Sequence, residues 1–428
     1  MKVAIVGYGI EGKSALRYWL DKAAEVTIYN EFPITDTLPG GVTTRIGKGI
    51  FSQIDDGFDL VVRAPSILPD RIVTTAPITS MTQEFFAVSP APIIGVTGTK
   101  GKGTVCSLVH AMLSEAGLDS HLVGNIGKPA LDELPTLTPQ SIVVFELSSF
   151  QLYDLQKSPH VAVVLMVEPE HLDVHSSEQD YIEAKARIVR WQGPEDVVVY
   201  HPTNHYVGQI VAGAQSHKIP FGVAPGAYVQ GGHFWMDDQK VCSIEQMKLV
   251  GQHNLDNVCA AITVAWQYMQ DIPAITRAIA GFKGLDHRLK FVRQFYKVDY
   301  YDDSIGTTPG SAIAALRSFA QPKVIILGGS DKGADFSALA AEVAQQSIRG
   351  VILIGQMRQT LRTALEGAGV EPAAMFDSQA SMKTIVARAA ELARPGDVVI
   401  LSPACASFDM FHDYKDRGDQ FVRAVEEL

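Results

Sequence analysis

The sequence predicts an α/β protein of three successive units, each a parallel sheet wound with helices. Three observations predict it. Short apolar runs rich in Val and Ile alternate along the chain with stretches of helical periodicity. Several of these runs stop at a Gly-rich turn, as at Gly7, Gly98, Gly124 and Gly328, where a strand hands over to the next segment. The length, 428 residues, suits about three domains of ordinary size. The expected division is a Rossmann-like domain over residues 1–90, a phosphate-loop domain with a parallel sheet and a small β-meander over 91–285, and a second Rossmann-like domain over 286–428.

The first unit opens on Met1-Lys-Val-Ala-Ile-Val-Gly7, a buried strand, followed by Gly7-Tyr-Gly9-Ile-Glu-Gly12 and a helix over Lys13–Leu20. Glu25–Tyr29 is the next strand and ends at Asn30-Glu31. This is a βαβ opening with a G-x-G-x-x-G turn and an acidic residue about twenty positions on. Many nucleotide and nucleotide-sugar sites use such a turn, and no hydride-transfer residues stand nearby. The general expectation is a diphosphate on the helix N-terminus after Gly9.

The second unit is organised around Ile94-Gly-Val-Thr-Gly-Thr-Lys-Gly-Lys-Gly-Thr-Val105. Ile93 and Ile94 read as a buried strand, and Val105, Leu108, Val109 and Met112 recur with helical spacing. Between them lie Gly98, Thr99, Lys100, Gly101, Lys102, Gly103 and Thr104. Backbone N–H groups in such a turn close on phosphate oxygens, a Lys reaches the terminal phosphates and a hydroxyl can hold Mg²⁺. The spacing departs from the common motif: Gly103 follows Lys102, the hydroxyl of Thr104 comes one position later, and Val96 stands where a Gly is usual.

Further polar groups stand at strand ends. Gly124-Asn125-Ile-Gly127 is a tight turn, and Glu146 ends the apolar run Ile142–Phe145, where it could meet a nucleotide-bound Mg²⁺ or cap the following helix. Val161–Val167 reads as a strand leading to His171-Leu-Asp173-Val-His175, whose spacing fits either a metal site or a solvated loop. Lys185 falls in a helical stretch over Tyr181–Val189, and pattern alone expects it to face solvent. Residues 222–250 alternate like a β-meander, and Asn254 is a plausible N-cap for the helix that follows.

The third unit follows a linker around Gly284–Arg288. Strands end at Tyr300-Tyr301, before Asp302-Asp303-Ser304-Ile-Gly-Thr307, at Lys323–Leu327, before Gly328–Phe336, and at Asp397–Leu401, before Ser402–Ser407. Alternation with helices predicts another parallel sheet with its polar residues at strand C-termini.

Composition excludes several classes. Lys plus Arg number 36 against 47 Asp plus Glu, a net charge of −11, and no basic run stands out, so nucleic acid is not an expected partner. Cys106, Cys242, Cys259 and Cys405 form no CxxC pair, which suits a reducing compartment and argues against a zinc ribbon or a disulfide framework. No signal-like or membrane-spanning apolar run is present, so a cytoplasmic location is expected.

Read together, Thr-Gly-Thr-Lys-Gly-Lys, Gly-Asn-Ile-Gly, Glu-Leu-Ser-Ser-Phe-Gln-Leu, Gly-x-His-Asn-x-x-Asn, His-Arg, Leu-Gly-Gly-x-x-Lys-Gly-x-Asp-Phe and Leu-Ser-Pro-Ala-Cys-Ala-Ser occur in this order. The set resembles the Mur ligases of peptidoglycan synthesis over nearly the whole chain. The resemblance implies ATP-dependent amide formation through an acyl phosphate, adding D-glutamate to UDP-N-acetylmuramoyl-L-alanine, by a monomer using ATP and two Mg²⁺ sites. It implies that Lys102, Glu146, His171 and Lys185 are catalytic. Thr104, Glu146, His171 and a carbamylated Lys185 would be the metal ligands. It places Asn254, Asn257, Arg288 and Asp303, with the turn from Gly98 to Thr104, at ATP. It places Gly9, Ile10, Glu11, Gly12, Asn30, Glu31 and Asn125 at the UDP-sugar, and Thr307, Lys332, Ser407 and Tyr414 at D-glutamate. Departures from the closest relatives' pattern include Ile305 in place of a Lys, Arg63-Ala-Pro-Ser66 in place of Ser-Pro-Gly, and Asn30-Glu31 in place of Asp-Thr. The alternatives are a related ligase with another acceptor or amino acid, such as L-glutamate, and a non-catalytic nucleotide-binding protein.

Overall fold

A computed structural model describes residues 1–23, 25–168, 170, 174–331 and 333–428. The chain gathers into two compact units, Met1–Met247 with Leu255–Ala280, and Lys248–Asn254 with Gly281–Leu428. Among the described residues no helix is long and apolar enough to cross a membrane.

The first unit holds two wholly parallel sheets. One has the spatial order Val42–Ile46, Glu25–Asn30, Lys2–Val6, Leu60–Arg63, Ile78–Ser80. The other runs His217–Pro220, Val197–Tyr200, Val161–Val164, Ile93–Thr97, Ile142–Glu146, Ser120–Gly124. The central strands Ile93–Thr97, Ile142–Glu146 and Val161–Val164 are buried at every position, the signature of parallel strands covered by helices on both faces. Ile142–Glu146 and Ser120–Gly124 lie to one side of Ile93–Thr97 and Val161–Val164 to the other, so the Gly-rich turn leaves the sheet where the strand order reverses. Ligands settle at such a point. The predicted meander is a three-stranded antiparallel sheet, Tyr228–Gln230, His233–Met236 and Gln239–Ser243.

Helix starts follow local chemistry. Ser80, Ser177 and Asn204 each accept a backbone N–H two to three residues into the helix they precede, and Ser148 forms a reciprocal capping box with Gln151. Ser148 thus takes the capping role that Glu146 might have filled. Asn254 does not cap either: the helix His253–Ala265 has already begun, and the Asn254 amide donates to the Val250 carbonyl (2.7 Å).

The second unit carries a six-stranded sheet ordered Lys290–Phe295, Val298–Asp302, Val398–Leu401, Lys323–Gly328, Ile348–Ile354, Ala374–Phe376. It is not wholly parallel, as the alternation had suggested. Lys290–Phe295 pairs antiparallel with Val298–Asp302 across a two-residue turn at Tyr296-Lys297, both in left-handed backbone. The remaining pairs are parallel. Separate apolar clusters cover its faces, one around Ile326, Val386 and Phe421, the other around Ile325, Leu339 and Leu361.

Candidate active site

The Gly-rich turn leaves the strand Ile93–Thr97 and enters the helix Lys102–Glu115 through Gly101 at the N-cap. Gly101 has φ +86°, and a Cβ there would lie 2.4 Å from Asn257 Oδ1, so both backbone and space demand glycine. Having no side chain, Gly101 leaves the first N–H groups of the helix to an outside acceptor. Lys102 folds back over the turn, its Nζ donating to the carbonyls of Gly98 (3.1 Å) and Thr99 (2.9 Å). Thr99 is tied to the opposite loop: its hydroxyl donates to Glu168 O (2.7 Å) and accepts from Glu168 N (2.8 Å). Thr104 is buried in the first helical turn, and Lys100 is exposed.

Glu146 stands beside this turn because Ile142–Glu146 pairs with Ile93–Thr97, Val96 opposite Glu146. Lys185 is the departure from expectation. It lies on Glu178–Ala186 but is 1 % exposed, with Nζ donating to Gly98 O (2.9 Å) and Thr97 Oγ1 (3.3 Å) and lying over the Tyr181 ring. Burial, with Lys102 donating to the same Gly98 carbonyl, drives the Lys185 ammonium well below the usual lysine range. Burial thus favours its neutral amine over the ammonium. His171 and Asp173 lie outside the described residues. His175 is not a ligand poised in a loop: it is buried, stacked on Phe150, with Nε2 against Ser149 Oγ (3.0 Å) and Nδ1 against Asp180 (3.3 Å).

A cavity of about 740 Å³ joins the first Gly-rich turn to this centre. Its wall includes Gly9, Ile10, Glu11, Gly12, Asn30, Glu31 and Asn125 at one side and Lys102, Glu146 and Ser148 at the other. The helix Ile10–Leu20 packs close because Gly12 has no Cβ; one would lie 2.1 Å from Gly7 O. Asn30, in the cavity wall, also holds the turn: Oδ1 accepts from Tyr8 N (3.0 Å) and Nδ2 donates to Phe32 O (2.8 Å). Glu31 pairs with Arg71 (3.2 Å). The loop after Leu60–Arg63 is fixed by Arg63, fully buried, whose guanidinium takes both oxygens of Asp154 (2.7 and 2.6 Å) and the carbonyls of Pro65, Ile67 and Phe150.

In the second unit the polar loops sit at the C-terminal ends of the neighbouring strands Val298–Asp302 and Val398–Leu401. Asp303 accepts from Ser402 Oγ (2.6 Å) and Leu289 N (3.1 Å), and burial pushes its carboxyl up to about 7. His287, in left-handed backbone (φ +61°), pairs with buried Asp302 (2.7 Å) and sets the turn that carries exposed Arg288. Arg417, fully buried, donates to Ser304 Oγ and O and to the carbonyls of Cys405 and Ala406, gathering three segments at one guanidinium. Thr307, buried Ser407 and Tyr414 lie on those segments, with Ser304 Oγ donating to Tyr414 O (2.7 Å). Lys332 lies outside the described residues.

Known proteins match this arrangement along its length. The Mur ligase middle domain matches residues 96–265, and the Mur ligase, glutamate ligase domain matches residues 287–405. The UDP-N-acetylmuramoylalanine–D-glutamate ligase of Symbiobacterium thermophilum is 34% identical over 450 residues, covering 100% of this chain and 98% of that protein. This chain is a Mur ligase. As such it is an ATP-dependent ligase of peptidoglycan synthesis. The Clostridium kluyveri protein of the same name as the Symbiobacterium one is 33% identical, covering 100% of this Mur ligase and 97% of its own length. Solved structures share the fold: the UDP-N-acetylmuramate-alanine ligase of Thermotoga maritima (TM-score 0.62, 17% identity, 100% and 99% coverage), and the MurF ligase of Thermotoga maritima in complex with ADP (TM-score 0.60, 16% identity, 99% and 95% coverage).

Sequence reasoning passed over Arg63, His287 and Arg417 as organisers of this Mur ligase's loops. One signal was available for Arg417: it shares a helical face with Phe421, Ala424 and Val425, where a surface Arg has no place.

Proposed function

We propose that this Mur ligase joins D-glutamate to UDP-N-acetylmuramoyl-L-alanine, using ATP. The observation that carries the reading is the single cavity whose wall includes both the Gly9–Gly12 turn and Lys102 with Glu146. A nucleotide sugar lying along it would bring its terminal carboxylate to the end of the phosphate turn. That carboxylate takes the γ-phosphoryl group, giving an acyl phosphate and ADP. The amine of D-glutamate attacks the acyl carbon, and phosphate leaves with the C–O bond. Such transfer between anions depends on positioning and charge neutralisation. Lys102 supplies a cation on the turn, and the uncapped helix behind Gly101 supplies N–H donors. By the family resemblance, Asn254, Asn257, Arg288 and Asp303 are assigned to the adenine, ribose and phosphates of ATP, and Thr307, Lys332, Ser407 and Tyr414 to the amino acid.

Mg²⁺ fits the donors present. Thr104 and Glu146 offer hard oxygen atoms at strand and helix ends, while no group of three His, Cys, Asp or Glu is gathered among the described residues. Lys185 as an ammonium could not join them. Burial favours the neutral amine, which can add CO₂ and lose a proton, and the resulting anionic carbamate would complete the set with His171. When bound, two Mg²⁺ ions would neutralise charge developing on the phosphoryl oxygens. The four cysteines are buried and none is in a disulfide, in keeping with a reducing, cytoplasmic setting.

The test is phosphate release from purified protein. It should require ATP, UDP-N-acetylmuramoyl-L-alanine and D-glutamate together, and oxygen-18 in the substrate carboxylate should appear in phosphate. Release with L-glutamate instead would move the amino-acid assignment; no transfer of oxygen-18 would refute the acyl phosphate. Lys102→Ala should abolish turnover, whereas Ser407→Ala should chiefly raise the glutamate KM.

A further inference from the structure

We propose that His175 is a positioning residue for the nucleotide sugar: held by Ser149 and Asp180, its ring fixes Phe150 in the cavity wall. The inference rests on reading the cavity as the nucleotide-sugar site.

The stretch His171-Leu-Asp173-Val-His175 reads from sequence as a metal site or a solvated loop. The structure gives His175 neither role. Its side chain is fully buried, and both ring nitrogens are engaged by other side chains. Asp180 Oδ2 lies 3.3 Å from Nδ1 and also accepts from Ser176 N (3.1 Å). A carboxylate only accepts, so Nδ1 carries the proton that faces it. In the neutral ring Nε2 then accepts from Ser149 Oγ (3.0 Å).

Ser149, His175 and Asp180 thus stand in the order of a hydrolase triad. Access argues against that chemistry. Ser149 is 2 % exposed, and its neighbours Ser148 and Phe150 are the residues that border the cavity. The set is built into the wall behind the site, where it can place a ring.

Phe150 is that ring. It stacks almost flat on the imidazole, with centroids 5.5 Å apart and planes 8° apart. Its carbonyl accepts from Arg63 Nη2 (3.0 Å), so its main chain is fixed by the loop after Leu60–Arg63 and its side chain by His175. Phe150 follows Glu146 by four residues and shares the cavity wall with Glu146 and Lys102, at the end where the carboxylate of the nucleotide sugar would meet the phosphate turn.

His175 also meets the helix that carries Lys185. Tyr181 packs edge-on against it (5.3 Å, 77°), the Tyr181 hydroxyl lies 3.1 Å from Thr99 Oγ1, and Lys185 Nζ lies 4.7 Å over the Tyr181 ring. Asp180 stands in the first turn of that helix, Glu178–Ala186, behind its cap Ser177. His175 therefore keys the wall to an element that is itself tied to the phosphate turn. A backing of this kind keeps a substrate in register for transfer. Without the imidazole the Phe150 side chain gains rotamer freedom that binding must then remove.

The test is calorimetric titration of the full-length protein with UDP-N-acetylmuramoyl-L-alanine, without ATP. Phe150→Leu should weaken Kd about fivefold. His175→Gln, which removes the stacked ring but keeps an amide for Ser149, should weaken it about as much. The double variant should bind like Phe150→Leu alone, because the histidine acts only through the phenyl ring. A histidine that only supports the fold would leave Kd unchanged or add its own factor on top of Phe150→Leu, and either result overturns the role. So does a Phe150→Leu protein that binds like the wild type. No binding by the wild type overturns the cavity assignment as well. If His175→Gln fails to fold, Ser149→Ala decides: it should weaken Kd about threefold in the wild-type background and not beside Phe150→Leu, and an unchanged Kd overturns the proposal. A fluorophosphonate probe should leave Ser149 unmodified by mass; stoichiometric labelling there would make it a nucleophile and overturn the positioning role.

Discussion

Replacing Arg63 by Met tests how the first unit holds its cavity. The guanidinium is fully buried and makes a two-pronged pair with Asp154, which is 24% exposed, together with bonds to the carbonyls of Ala64, Pro65, Ile67 and Phe150. Methionine fills most of the volume but leaves all of these acceptors without their donor. Breaking a buried pair costs about 3–5 kcal/mol. The partial exposure of Asp154 lowers that figure, and each orphaned carbonyl adds about 1 kcal/mol. With the pair lowered to about 2 kcal/mol and about 1 kcal/mol added for each of four carbonyls, the expected loss is about 6 kcal/mol. Asp154→Asn, which keeps the shape but removes the charge, should lose about 2 kcal/mol, and the double variant should be less destabilised than the sum by about 2 kcal/mol. Urea unfolding followed by far-UV circular dichroism measures all three. Because Ala64, Pro65, Ser66 and Ile67 line the cavity, Arg63→Met should also raise the KM for the nucleotide sugar more than it lowers kcat. Additivity within about 0.5 kcal/mol would refute the claim that this pair joins the loop to the turn after the helix Ser149–Leu152.

Other perturbations follow from the same geometry. If burial keeps Lys185 neutral and carbamylated, stripping CO₂ from the buffer should lower kcat reversibly, and the intact mass should fall by one CO₂; Lys185→Arg should be inactive with or without bicarbonate, and a kcat indifferent to CO₂ would refute this. The His287 imidazole is raised above its ordinary value, chiefly by its hydrogen bond to Asp302. Its contribution to stability is therefore complete below the unfolded value of about 6.5 and fades as pH rises through the higher folded value, so Tm should fall over that interval, and Asp302→Asn should remove the slope. Gly101→Ala forces a left-handed residue and sets a Cβ 2.4 Å from Asn257 Oδ1. It should cost about 2 kcal/mol and raise the ATP KM; a urea midpoint equal to that of the wild type would show that the turn yields instead.

Much of the fold was legible in the residues because its determinants are local. The run Val3-Ala-Ile-Val6 followed by Gly7 and then by helical spacing reports a βα unit wherever it is read, and the turn from Gly98 to Thr104 announces phosphate chemistry because backbone freedom and a nearby Lys are properties of the segment itself. The same locality explains the misses. Val42–Ile46 and Ala374–Phe376 are edge strands whose half-exposed residues carry a weak pattern, and the antiparallel Lys290–Phe295 became a strand by pairing with its neighbour.

What the sequence by itself determined, then, is the alternation of strands and helices, the glycine turns and the family. What only the tertiary structure decided is the chemical state of particular side chains. Lys185 read as a surface lysine on its own helix; Thr97 and Gly98, brought from another segment, together with Tyr181 of that helix, bury it and push it well below the usual lysine range. Glu11 read as a residue of the first Gly-rich turn at the UDP-sugar; burial first, then Asp132 from more than a hundred positions away, push its carboxyl up to about 7. The physical reason is that desolvation and Coulomb terms depend on distance in space, which the chain's own order does not record.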